Sequence, residues 1–209
     1  MATIRLIVGL GNPGERYRQT RHNVGAECVQ ALAARFGIVL ADEPRFKGHI
    51  GRGTIAGHDV RLLIPQTFMN LSGESVGAVA HFYKLAPEEI LVVYDEMAFE
   101  PGVVRLRSGG GDNGHNGIRS VIAGLGNSRD FHRLRIGVGH PGQRDAVTAY
   151  LTQVRMPEDE RIEVGRAMAI GDAVLADLLA GNLQQAMNRL HGPTDPGAAE
   201  PARRPKSEE

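Results

Sequence analysis

Two short apolar stretches limit most strongly what this chain can fold into. Residues 4–10 and 90–94 are rich in Ile, Val and Leu, and they do not alternate with polar residues as a half-exposed strand does. Such strands are buried on both faces, which is typical of a sheet that has helices on each side. Residues 25–36 lie between them in the chain and show the apolar spacing of a helix. This alternation of strand and helix patterns predicts an α/β fold.

The other elements follow from the same patterns. We predict a hairpin at residues 50–64 around Gly57, strands at 103–107 and 131–138, and helices at 72–83, 116–125 and 157–190. Ser72 is the expected N-cap of its helix, and Gly181 is expected to interrupt the last one. The expected architecture is a single domain with a mixed, twisted sheet covered by helices on both faces.

The chain divides into one domain, expected to be catalytic, and a C-terminal tail. Residues 1–191 carry all the periodic patterns, whereas residues 192–209 consist mainly of Gly, Pro, Ala and charged residues. A segment of that composition cannot bury enough apolar surface to order itself, so we expect a disordered tail.

Composition excludes several classes of protein. The 24 basic and 24 acidic residues balance, so any surface for nucleic acid must be local. The only cysteine, Cys28, rules out an internal disulfide and lies on an apolar helical face, which indicates a core residue. No apolar stretch approaches the roughly 18 residues of a membrane span. We therefore expect a cytoplasmic protein without a membrane segment.

The glycines of residues 9–14 match the G-x-G-x-x-G pattern of dinucleotide-binding proteins. That function requires a helix that begins within the motif and an acidic residue about 20 positions later. Residues 17–22 are polar without helical spacing, and residues 28–36 contain no Asp or Glu. The preferred interpretation is a tight turn that exposes Asn12 at the carboxyl end of the first strand, where open α/β sheets bind ligands.

Polar side chains at other strand ends point to acid–base chemistry. His22 follows the glycine turn, and Asp95 follows the strand of residues 90–94. A neutral imidazole can take a proton from water if a carboxylate holds its other nitrogen. Taken singly, His22 could be a solvated loop residue and Asp95 a turn cap. With no metal-ligand spacing and no obvious nucleophile, water is the expected attacking group.

Amide and basic groups complete the candidate site. Asn12, Asn70 and Asn116 can both donate and accept hydrogen bonds, as contacts to an ester or a ribose require, although asparagine is also common in turns and caps. The glycine-rich residues 109–117 lie among several arginines, which could contact phosphate or form an ordinary solvated face.

As a set, these motifs resemble the bacterial peptidyl-tRNA hydrolases. The resemblance rests on residues 9–25, 65–73, 95–96, 114–117 and 131–142, and it runs from about residue 4 to residue 191. It implies a monomeric α/β enzyme, without metal or cofactor, that acts on peptidyl-tRNA. The reaction is cleavage of the ester between a peptide, or an N-blocked amino acid, and the 3′ ribose of tRNA.

The resemblance also implies a role for each matching residue. His22 matches the general base, Asp95 the carboxylate that supports it, and Asn12 the asparagine that distinguishes blocked from free aminoacyl ends. The positions matching contacts to the substrate end are Tyr17, Phe68, Asn70 and Asn116, and those matching contacts to the tRNA 5′ phosphate are Arg107 and Arg135.

The positions that depart from the family pattern are Ala98, Glu100, Asp112 and Asn113, and Arg107 stands where some relatives have Lys. They leave the His22–Asp95 pair intact but put the shape of the nearby loops in question. Two rival functions remain, namely a non-catalytic RNA-binding module with this fold and a nucleotide-dependent oxidoreductase.

Overall fold

The computed structural model describes residues 2–191. Its strands are β1 (Leu6–Gly9), β2 (Ala41–Glu43), β3 (Gly48–Ile55), β4 (His58–Pro65), β5 (Ile90–Glu96), β6 (Val104–Ser108) and β7 (His132–Gly137). Its α-helices are α1 (Val24–Arg35), α2 (Ser72–Tyr83), α3 (Asn116–Gly124), α4 (Val147–Thr152), α5 (Glu158–Met168), α6 (Asp172–Leu179) and α7 (Leu183–Leu190).

All the strands form one mixed sheet in the order β2-β3-β4-β1-β5-β7-β6. The four inner strands, β4, β1, β5 and β7, run parallel to one another. The outer strands β2, β3 and β6 pair antiparallel with their neighbours. The carboxyl ends of the inner strands therefore meet at one edge, where the polar residues that follow them come together.

Each face of the sheet carries its own apolar core. Ile7 and Leu91 point to one face, where α1, α4, α5, α6 and α7 cover the sheet. Leu6 and Val92 point to the other face, which α2 and α3 cover. This arrangement confirms the predicted mixed sheet covered on both faces, and it explains why β1 and β5 are apolar at successive positions.

Helix α1 packs unusually close to the strand that precedes it. A Cβ atom on Gly9 would overlap the carbonyl oxygen of Gly25, and one on Gly25 would overlap that of Val93. The glycines at both positions allow this approach. It brings the short 3-10 helix Arg21–Asn23, immediately before α1, to the carboxyl edge of the sheet.

Three details differ from the predictions. Ser72 is the first residue of α2 and not its N-cap, because its hydroxyl donates to the Met69 carbonyl of the preceding turn. The region predicted as one helix broken at Gly181 has a second break at 169–171, where Ile170 turns into the core and Arg35 donates to its carbonyl. Strand β2 and helix α4 were not predicted.

The predicted tail, residues 192–209, lies outside the described residues. Within residues 2–191, none of the helices has the length and apolar character needed to cross a membrane.

Candidate active site

A cleft of about 420 Å³ opens at the carboxyl edge of the sheet. Its walls come from the turn after β1, the 3-10 helix Arg21–Asn23, the end of β5, the segment before α2, the loop before α3, and α4. The cleft therefore collects polar residues from segments that are distant in sequence. Among the predicted site residues, those that line it are Asn12, His22, Phe68, Asn70, Asp95 and Asn116.

A buried carboxylate with two histidines forms the floor of this cleft. His22 Nδ1 lies 2.9 Å from each carboxylate oxygen of Asp95. His115 Nε2 lies 3.0 Å from Oδ1 of the same carboxylate. The backbone N–H of Ile118 donates to His115 Nδ1 at 3.2 Å, so a neutral His115 carries its proton on Nε2 and donates it to Asp95.

The same geometry sets the tautomer of His22. Because its Nδ1–H faces the Asp95 carboxylate, the neutral ring presents an unprotonated Nε2. The atoms of His22, Asp95 and His115 that could ligate a cation lie within 4.8 Å of one another. Both histidine nitrogens that face the carboxylate carry protons in this arrangement, so a cation there would have to displace two protons.

Burial and charge act in opposite directions on the two partners. Burial by itself raises the pKa of Asp95, but the charges and hydrogen bonds of His22 and His115 outweigh it and hold that pKa well below its ordinary value. Burial lowers the pKa of His22, and the Asp95 charge and hydrogen bond more than offset this, so that the pKa of His22 is raised. Asp95 is thus an anion that favours proton uptake by His22.

Asn12 is held rigidly at the rim of the pair. Its side-chain oxygen accepts from the backbone N–H of Met69 at 2.8 Å, and its backbone N–H donates to Asn23 Oδ1 at 2.9 Å. The Asn23 amide returns a hydrogen bond to the Asn12 carbonyl at 2.9 Å. Since the oxygen of the Asn12 amide is occupied, its NH₂ group is the donor that remains for a ligand.

Arg21 anchors the short helix that carries His22. Its side chain is 2% exposed, and its guanidinium bonds Glu160 at 2.6 Å and the Val154 carbonyl at 3.2 Å. The same group stacks on the Tyr150 ring at 3.9 Å. Arg21 therefore ties the residue next to His22 to α4, which forms one wall of the cleft.

Four arginines share one face of the β6–β7 ladder. Arg105 pairs with Arg135 and Arg107 with Arg133, and residues two apart on a strand lie on the same face. Burial lowers the pKa of Arg135, and the positive charges of Arg107 and Arg105 lower it further, although Tyr94 and Glu96 oppose them. This concentration of positive charge suits an anionic ligand beside the cleft.

Tyr17 and His115 differ from what sequence reasoning indicated. Tyr17 does not line the cleft, and its half-buried ring lies under the guanidinium of Arg16 at 4.6 Å. His115 belongs to a motif that sequence analysis singled out, but no role was assigned to it. Its neighbours Gly114 and Asn116 marked the place, and only the contact with Asp95 shows what it does.

The glycines of residues 9–14 do not open an α-helix. A 3-10 helix, Glu15–Tyr17, follows them, and Asn12 lines the cleft as the tight-turn interpretation predicted. Cys28 is buried in the core, and burial raises the pKa of its thiol to about 12, which confirms the prediction of a packing residue.

Together, the fold and the cluster at the cleft floor define an α/β protein with a largely buried His–Asp–His set at the carboxyl edge of its sheet. The family model for peptidyl-tRNA hydrolase matches residues 6–198. By this match, the chain belongs to the peptidyl-tRNA hydrolase family.

Relatives of known sequence or structure agree with this assignment. A peptidyl-tRNA hydrolase of Mannheimia succiniciproducens is 49% identical over 192 residues, covering 92% of this chain and 98% of that protein. One from Shewanella denitrificans is 50% identical over 194 residues, covering 91% and 97%. The crystal structure of peptidyl-tRNA hydrolase from Acinetobacter baumannii has a TM-score of 0.86 at 47% identity and covers 91% of this chain and 95% of its own.

Proposed function

We propose that this peptidyl-tRNA hydrolase cleaves its ester with a water molecule that His22 activates. The substrate bond joins the carboxyl group of a peptide, or of an N-blocked amino acid, to the 3′ ribose of tRNA. Its hydrolysis returns tRNA from peptidyl-tRNA that left translation prematurely. The observation that carries the proposal is the 2.9 Å contact between His22 Nδ1 and the buried Asp95 carboxylate.

The proposed reaction needs no covalent enzyme intermediate. His22 Nε2 removes a proton from water while the water oxygen bonds to the ester carbonyl carbon, and the carbonyl electrons move to its oxygen. As the tetrahedral intermediate collapses, the bond to the ribose 3′ oxygen breaks and the proton from His22 passes to that oxygen. The products are the free peptide carboxyl group and tRNA with its 3′ hydroxyl. Asp95 stabilises the imidazolium formed between the two steps.

Asparagine amides are the proposed partners of the acyl end. The Asn12 NH₂ group is a rigid donor beside His22, and we assign it the selection of blocked over free aminoacyl ends. An amide donor that reaches the developing oxyanion contributes about 10²–10³ in rate. Phe68, half exposed at the mouth, and Asn70 and Asn116 on its walls are the proposed contacts to the remaining substrate end.

The arginine face beside the cleft is the proposed site for the tRNA 5′ phosphate. Arg107 is exposed and Arg135 is partly buried, so both can meet an anion at the surface. The planar guanidinium allows bidentate contact with phosphate oxygens. Tyr17 does not line the cleft, so any contact it makes with tRNA would be outside the cleft. We further propose that the protein acts as a monomer in the cytoplasm, where its substrate arises.

The free energy needed to bury His22, Asp95 and His115 argues against the rival function, a non-catalytic RNA-binding module. A carboxylate with two histidines in a closed floor carries a desolvation cost that a binding surface for RNA does not require. A base poised on an open cleft is what ester hydrolysis does require.

The test compares two tRNA substrates and two histidine variants. The wild-type protein should release N-acetyl-amino acid from N-acetyl-aminoacyl-tRNA and leave the free-amine aminoacyl-tRNA intact. His22→Ala should lower this turnover by about 10²–10⁴. The matched control His81→Ala removes an exposed histidine of α2 and should retain wild-type turnover. Near-normal turnover by His22→Ala would show that another group activates the water.

A further inference from the structure

We propose that Arg133 is a positioning residue that fastens the glycine loop, defined as residues 109–115, and thereby holds His115 on Asp95. This inference rests on the proposed catalytic role of the His22–Asp95 pair. It assigns to Arg133 a task different from that of the arginines beside it, although all of them lie on one face of the β6–β7 ladder.

The contacts of Arg133 are those of a structural anchor. Its side chain is 1% exposed, whereas its ladder partner Arg107 is exposed to solvent. The two terminal nitrogens of Arg133 donate to the carbonyl oxygens of Gly110 and Gly111. Its guanidinium also lies over the Phe131 ring at 4.6 Å. Both terminal nitrogens are thus engaged with the loop backbone and face away from bulk solvent.

The glycine loop needs such an anchor because its backbone is intrinsically free. Gly109, Gly110, Asn113 and Gly114 have φ values of 66°, 105°, 47° and 80°. Glycine loses more conformational entropy on ordering than any other residue. A planar fork that donates to two successive carbonyls supplies charge-assisted hydrogen bonds that restrict this freedom.

A tyrosine beside Arg133 also touches the catalytic floor. Tyr94, which lines the cleft, lies close enough to Arg133 that the arginine charge lowers the pKa of its hydroxyl, against the effect of burial. The Tyr94 ring packs edge-on against the His115 ring with 4.9 Å between their centroids. His115, at the end of the loop, bonds Asp95 at 3.0 Å. Arg133 therefore supports His115 through the loop backbone, and the neighbouring Tyr94 ring packs on His115 directly.

An arginine that anchors the loop and an arginine that contacts a tRNA phosphate differ in their effect on the salt dependence of tRNA binding. Removing an arginine that contacts a tRNA phosphate reduces the slope of log affinity against log salt by about 0.7–0.9. Removing a buried anchor leaves the number of phosphate contacts unchanged, and therefore leaves that slope unchanged. It instead lets a catalytic neighbour move, and a displacement of about 1 Å can cost about 10²-fold in rate.

The experiment compares Arg133→Met, Arg133→Lys and Arg107→Met in the full-length protein. It measures kcat and KM for N-acetyl-aminoacyl-tRNA across a salt series, and amide hydrogen exchange of residues 109–117 without substrate. Arg133→Met should lower kcat by about 10- to 10²-fold and keep the wild-type salt slope. The amide hydrogens of its glycine loop should exchange faster than in the wild type. Arg107→Met should raise KM and lower the slope; because the Arg107 guanidinium lies against Gly110, the loop exchange of the Arg133 variants is compared with that of the wild type.

Arg133→Lys decides whether charge alone is sufficient. Lysine keeps the positive charge but cannot donate to two carbonyls in one plane, so loop exchange and kcat should follow Arg133→Met. It also serves as the folded variant if Arg133→Met does not fold. Wild-type loop exchange in Arg133→Lys, or a salt slope in Arg133→Met as low as in Arg107→Met, would overturn the proposal. Hydrogen exchange of the loop is measured without substrate and does not depend on the role of His22. If His22 is not the base, His22→Ala shows it, and this outcome is distinct from a failure of the Arg133 proposal.

Discussion

Replacing Asp95 by asparagine should disable His22 through its tautomer and not through loss of the fold. Asparagine has nearly the same shape, but one carboxylate oxygen becomes an NH₂ group. His115 carries its proton on Nε2, because its Nδ1 accepts from Ile118, so it still requires an oxygen acceptor at the Oδ1 position. The NH₂ group then occupies the Oδ2 position, 2.9 Å from His22 Nδ1, which lies at the same distance from the remaining oxygen.

The NH₂ group meets Nδ1–H as a second donor, and the remaining oxygen already accepts from His115, so the His22 tautomer that carries its proton on Nε2 is favoured. With the proton transferred to Nε2, Nδ1 accepts from the new amide, and the nitrogen that should take a proton from water is blocked. Loss of the working tautomer in a His–Asp pair costs about 10⁴-fold, or about 5.4 kcal/mol of transition-state stabilisation. We expect a loss of kcat/KM of that order for Asp95→Asn.

The pH profile provides an independent sign. In the wild type, His22 must be neutral to act, so kcat/KM should rise with pH through a pKa that Asp95 holds above the ordinary value of 6.5. In Asp95→Asn the charge is gone and burial remains, which lowers the pKa of His22. The residual activity should therefore begin at lower pH than in the wild type.

The assay is kcat/KM for N-acetyl-aminoacyl-tRNA between about pH 5 and 8, with thermal unfolding as the control for folding. A variant that unfolds at the wild-type temperature and yet matches the wild-type rate and acidic limb would refute the tautomer argument.

Two further predictions concern His115 and Cys28. Substituting His115→Leu removes one charge-assisted hydrogen bond to Asp95, worth about 1.5–3 kcal/mol, so kcat/KM should fall by at most about 10²-fold. Because Asp95 then interacts more strongly with His22, the acidic limb should move to higher pH, opposite to Asp95→Asn; a shift to lower pH would contradict this. Cys28, whose thiol has a pKa of about 12 through burial, should resist thiol reagents in the native protein at pH 8 and react fully after denaturation. Rapid native labelling, measured by intact mass, would mean that the α1 core opens.

Local sequence patterns were sufficient for most of the architecture. The apolar character of β1 and β5 reports that both faces are covered, and the spacing in α1 and α2 reports one buried side. These patterns are short-range properties of the sequence, so they can be recognised without knowledge of the fold. They failed where a tertiary contact decided a boundary, as at Ser72, whose hydroxyl bonds Met69, and at the turn through Ile170.

The candidate site divides in the same way. His22, Asp95 and Asn12 could be selected from sequence because each follows a predicted strand or turn at the edge where α/β sheets bind ligands. The structure alone brings His115 to Asp95 and places Tyr17 outside the cleft. Those outcomes depend on the path of the glycine loop and of the turn after β1, which no periodicity describes.

The arginines of β6 and β7 show the physical reason most directly. In the sequence, Arg107 and Arg133 carry the same side chain and each lies in a predicted strand. In the folded protein Arg107 is exposed, whereas Arg133 is buried against two loop carbonyls and the Phe131 ring. Residue type determines the charge and the donors available, but burial and partners arise only when the sheet order and the loop bring distant segments together. For that reason the sequence by itself determined the fold class, the family and the candidate His22–Asp95 pair, and the tertiary structure decided which polar residues contact that pair.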